Sequence, residues 1–137
     1  MPAWSVRLIR TALLYLVLGA MSGAVMLSAA ARGLAVPVGP IRALHAELVL
    51  FGWLLQFAMG VAWWILPKHP AGPERGPAWS VGVAWLLLNA GVWLAGLGQA
   101  FLWPGPVVVA GRGAEALAIL AFAATALPRI KPFGAGR

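Results

Sequence analysis

The sequence predicts an all-α integral membrane protein, an antiparallel bundle of four transmembrane helices with both termini cytoplasmic. Three observations lead there. Of 137 residues 62% are hydrophobic and only 9% are charged, a balance that a water-soluble domain of this size has no core large enough to absorb. Apolar runs lie near 11–31, 44–66, 79–103 and 106–127, each long enough for the roughly 20 helical residues that cross a hydrocarbon layer. The cationic residues gather at the ends of these runs, where they orient a membrane chain. The links are too short for a soluble domain, so residues 1–137 read as a single transmembrane domain.

Taken in order, the first run follows Arg7 and Arg10 and ends in Ser28-Ala29-Ala30-Ala31. That ending resembles a signal-peptide cleavage site, but the run exceeds the roughly 7–15 apolar residues of a signal core. Gly19 and Gly23 form a GxxxG spacing, a weak signal for close helix approach or dimerisation. Pro37, Gly39 and Pro40 are expected to break the chain before the second span, and residues 67–77, PKHPAGPERGP, to turn it afterwards. Trp103-Pro104-Gly105-Pro106 is expected to form the third turn, and Pro128 with Pro132 to end the fourth span. Short links give up-down-up-down pairing.

With a cytoplasmic N-terminus, the inner side collects Arg7, Arg10, Lys68, Arg75, Arg129, Lys131 and Arg137, against Arg32, Arg42 and Arg112 outside. This bias predicts a multi-pass protein of the bacterial inner (cytoplasmic) membrane with the lipid bilayer as its first partner. The scattered charges form no patch for nucleic acid despite a net charge of +7. Trp4, Trp63, Trp64, Trp79 and Trp103 lie near span ends, where indoles favour the headgroup zone. Cysteine is absent, so disulfides and thiolate chemistry are excluded.

The second span opens with two ionisable residues, His45 and Glu47. An ionisable group inside hydrocarbon is expensive and marks a candidate site. At about 100° per residue, His45, Val49, Gly52, Gln56, Gly60 and Trp63 share one small, polar face, while Glu47, Phe51, Leu54 and Ala58 point the other way. His45 and Glu47 are therefore not expected to serve one site, and the His45 face should look into the bundle or into a second copy. Gln99, Arg112 and Glu115 sit at compatible depth, which puts them in one expected layer with His45. Arg112 and Glu115, three apart on one helix, are also placed to neutralise each other.

The chain cannot assemble a multi-ligand zinc or copper cage, because His69 lies at the opposite membrane face from His45. It shows no serine or carboxylate arrangement for a catalytic triad. A haem asks for less, since the porphyrin supplies four nitrogens and one or two axial ligands complete the iron. His45 would be the iron ligand, Gly52 would leave room for the ring edge, and Arg42 or Arg112 would meet the propionates. Gln99 is a weak candidate for the sixth position. The plainer alternative is that His45 is a polar helix-end residue bonded to Gln99 or to a backbone carbonyl.

The stretch LHAELVLFGWLLQFAMGVAWWILP, residues 44–67, resembles the second transmembrane helix of the haem-copper oxidase main subunit, especially its cytochrome cbb3-type oxidase and nitric oxide reductase branches. Leu44-His45 and Ile65-Leu66-Pro67 stand at the two ends of the similarity, which is strong over about 25 residues and general elsewhere. The resemblance implies that His45 is an axial ligand of a low-spin haem b near the outer face. The histidines that would complete the family's oxygen- or nitric oxide-reducing centre have no counterparts here. The expected function is therefore haem-linked electron transfer or haem or gas sensing, with no autonomous catalytic activity expected. The alternative is a haem-free accessory or structural subunit of a respiratory membrane complex. For the missing sixth ligand, a two-fold homodimer would place His45 of both chains on one iron; its rival is a five-coordinate haem within each bundle.

Overall fold

The computed structural model describes residues 1–34, 38–69 and 75–130. Four helices in it are long and apolar enough to cross a membrane. We label them α1 (Ala3–Ala31), α2 (Val38–Ile65), α3 (Ala78–Ala100) and α4 (Gly105–Ala126); a 3-10 turn, Leu127–Arg129, follows α4. Among the described residues there is no strand.

The helix ends depart from expectation where hydropathy and helix chemistry disagree. Arg7 and Arg10 depress hydropathy but are good helix formers, so α1 starts at Ala3, with the Arg7 guanidinium 4.7 Å over the Trp4 ring. Gly39 and Pro40 do not break the chain; they lie in the first turn of α2, where proline's missing N–H costs nothing. Pro37 and Pro132 fall outside the described residues. At the other turn, α3 ends at Ala100 and α4 already begins at Gly105, so only residues 101–104 link them. Leu102 adopts a left-handed φ of 54° there. Phe101 N–H donates to the Leu97 carbonyl and Trp103 N–H to that of Gly98, both at 2.8 Å, closing the last carbonyls of α3 as left-handed helix ends do.

Inside α2 the residues Leu48–Leu55 wind as a π-helix, a widened turn that often accompanies functional sites. Close helix approach is built on glycine. A β-carbon would meet Val49 at Gly19, the His45 ring at Gly23, Tyr15 at Gly52, and Leu8 and Ile9 at Gly60. Contact positions thus rise along α2 as they fall along α1. The GxxxG pair of α1 is spent inside the chain. Gly91 and Gly111 bring α3 and α4 into the same kind of contact, as expected where helix association depends on close packing.

All four helices supply one core, which includes Leu8, Met59, Trp63, Leu88, Ala118 and Phe122. Trp63 therefore departs from the expected interfacial belt: it is 2% exposed and packs on Phe122 with ring centroids 6.5 Å apart. Trp79, by contrast, is 70% exposed. At that same end Arg129 is buried. Its guanidinium donates to the carbonyls of Trp63 (3.2 Å), Leu66 (2.7 Å) and Pro67 (3.0 Å) and lies 4.9 Å over the Trp63 ring. These carbonyls have no acceptor role within α2 itself, and a cation suits the negative end of a helix.

Candidate functional site

The expected polar layer divides into two separate groups, one on each side of α2. His45 belongs to the first and faces α1. Its Nδ1 lies 2.9 Å from the Gly19 carbonyl oxygen and 3.1 Å from Ser22 Oγ, while Ser22 Oγ donates to the same carbonyl at 2.8 Å. A carbonyl can only accept, so the 2.9 Å contact requires the hydrogen on Nδ1 and leaves the Nε2 lone pair of a neutral ring uncommitted. No hydrogen bond to Nε2 occurs among the described residues. The lack of a side chain at Gly23 makes this approach possible, because a β-carbon there would stand 3.0 Å from His45 Cε1. His45 is half-buried, and Arg42, three residues earlier on the same side of α2, is exposed.

The second group forms around Glu47, on the opposite side. Arg112 pairs with both Glu47 oxygens: Nη1 donates to Oε2 at 2.9 Å, and Nη2 contacts Oε1 closely. The same Nη1 donates to Glu115 Oε2 at 3.1 Å. Gln99 Nε2 donates to Glu47 Oε1 at 3.2 Å. The Glu47 and Glu115 side chains are 3% and 2% exposed, and Arg112 is 44% exposed, with its guanidinium 5.6 Å from the Phe51 ring centroid. The cluster ties α2, α3 and α4 together. Separation of His45 from Glu47 follows the 100° spacing; the assignment of Gln99 and Arg112 to His45 does not hold, because Glu47 takes both.

Gly52 is also used differently. Its open side holds the Tyr15 ring, with a β-carbon falling 2.6 Å from Tyr15 Cγ, so the space expected for a porphyrin edge is already filled. Tyr15 starts a polar relay that sequence reasoning missed. Its hydroxyl donates to Asn89 Oδ1 at 2.7 Å, and Asn89 Nδ2 donates to Gln56 Oε1 at 3.0 Å and to the Trp85 carbonyl at 2.7 Å. The signal was available in retrospect: the chain's single tyrosine and single asparagine both interrupt apolar spans. The α1-facing stripe is thus covered within the chain, by Tyr15 at Gly52 and by the Leu8 carbonyl and Asn89 at Gln56.

Among the described residues, two apolar cavities lie open between helices. One, of about 230 Å³, is lined by residues such as Met59, Ala62 and Phe122; the other, of about 460 Å³, by Pro40, Ile41, Leu44, Leu97, Ala100 and Phe101. Neither is lined by His45. Comparison with family models, with curated proteins and with solved structures gives no match to this chain, so the reading of its function rests on the residues themselves.

Proposed function

We propose that the chain is a membrane b-type haem protein in which His45 would hold the haem iron at the α1–α2 edge, near the outer face of the cytoplasmic membrane. The bundle is antiparallel in this reading, with both termini cytoplasmic. One observation carries the proposal: Nδ1 of His45 is anchored to the Gly19 carbonyl and Nε2 is left over. Metal-bound histidines are oriented in this way, by a bond from the other ring nitrogen to a carbonyl or carboxylate. Bound haem would supply one-electron chemistry at its iron. The protein's part is to hold the imidazole at one angle through Gly19 and Ser22, to offer Arg42 to a propionate, and to surround the ring with apolar helix surface.

Gly52, Gln99 and Arg112 do not belong to this site, since Tyr15 and Glu47 occupy them. A haem buried within one bundle therefore does not fit, and the proposal sets it instead at the α1–α2 edge, where His45 of a second copy would be the other protein ligand. The test is an absorbance spectrum of the purified, haem-supplemented protein with haem quantitation. A low-spin spectrum with one haem per two chains is expected; one high-spin, carbon monoxide-binding haem per chain overturns the shared site.

A second reading, a haem-free accessory subunit of a larger respiratory complex, is favoured by the closed packing at Gly52 and by an ionic cluster that satisfies Arg112 without a ligand. A protein that stays colourless after supplementation selects it.

A further inference from the structure

Glu47 and Glu115 share one cation, and they share it unequally. Glu47 has both oxygens on Arg112 and a further bond from Gln99. Glu115 has only Oε2 on Arg112, and its Oε1 is sealed from solvent with no hydrogen-bond partner. The side chain is packed against α3. Its Cγ lies against Gly91 of α3 so closely that a β-carbon there would be 2.6 Å away. Among the described residues the charged groups acting on Glu115 are Glu47 from α2 and Arg112 from its own helix, and α3 presents it with Gly91. Two carboxylates against one guanidinium would leave a net negative charge in a low-dielectric layer, with an orphaned anionic oxygen at its centre. A buried polar atom without a partner is far cheaper when neutral than when charged.

We propose that Glu115 is a proton-binding site within the membrane, holding one exchangeable proton on the carboxyl group whose Oε1 is unpartnered, while Glu47 remains the fixed counter-ion of Arg112. The proton comes from water at the half-exposed Arg112 side and returns there. Binding converts the Glu115 carboxylate to a carboxylic acid and brings the cluster to zero net charge; release restores the negative charge. Oε2 keeps its lone pairs for the Arg112 N–H, which leaves Oε1 as the free position. The site is separate from His45 and does not rest on the haem reading.

Infrared difference spectroscopy of the haem-free full chain in lipid nanodiscs tests this, in light and heavy water at neutral pH. Only three side-chain carboxyl groups exist, so the carboxylic C=O region is sparse. The expected result is one protonated-carboxyl band that shifts in heavy water, disappears in Glu115→Gln and moves in Glu115→Asp. The aspartate variant keeps a carboxyl group and protects the test against misfolding of the glutamine variant. Absence of the band in the unmodified chain, a band insensitive to heavy water, or one that both variants leave in place overturns the assignment.

Discussion

Tyr15 occupies the place that Gly52 leaves empty. A β-carbon on Gly52 would lie 2.6 Å from Tyr15 Cγ, and the ring cannot retreat easily because its hydroxyl is bonded to Asn89 at 2.7 Å and its face meets Trp93 with centroids 5.9 Å apart. Gly52→Ala should therefore cost about 1–3 kcal/mol by overpacking, read as a lower unfolding temperature in detergent. If the proposed edge site binds haem, the spectrum should be unchanged, since that site does not use Gly52; a spectral shift would return the porphyrin to the bundle interior.

His45→Ala should abolish haem binding while leaving an inserted, folded bundle. The Gly19 carbonyl keeps its bond from Ser22, so the stability loss should stay near the ~1 kcal/mol of one net hydrogen bond. Full haem content with an unaltered spectrum would remove His45 as ligand.

Arg112→Leu separates the two polar groups. It strands Glu47 and Glu115 without their cation, and breaking such a pair costs on the order of 3 kcal/mol, the low end of the range for buried pairs because Arg112 is half exposed. Haem affinity should not change in the fraction that folds. A variant with normal stability and weakened haem binding would place Arg112 on a propionate, as the sequence first suggested.

Leu102 holds a left-handed conformation, φ 54°, that favours glycine. A left-handed residue with a β-carbon carries a strain of about 1–2 kcal/mol, partly offset by the greater freedom of glycine in the unfolded chain. Leu102→Gly should therefore raise stability by up to about 1 kcal/mol, measured as a higher unfolding temperature. A decrease would show that the leucine side chain contributes packing that outweighs its strain.

The four spans were legible because hydrocarbon imposes a length and a composition that few other constraints can mask. Their ends were less so: hydropathy drops at Arg7, Arg10, Gly39 and Pro40, although all four lie within helices. The site was legible in part. At about 100° per residue His45 and Glu47 fall roughly 200° apart on the helix, and the structure keeps them apart. Depth alone could not tell which of the two would collect Gln99 and Arg112, since that depends on how α3 and α4 rotate about their axes. Gly52 misled for a related reason, because a missing side chain marks close approach without saying whether a ligand or a tyrosine approaches.

The three carbonyls at the exit of α2 wait for a side chain made more than sixty residues later. During synthesis α2 is made early, yet its C-terminal end stays open until the segment carrying Arg129 has emerged and turned back. That end is thus latched late, and a chain stopped before Arg129 would leave the Trp63, Leu66 and Pro67 carbonyls without their donor.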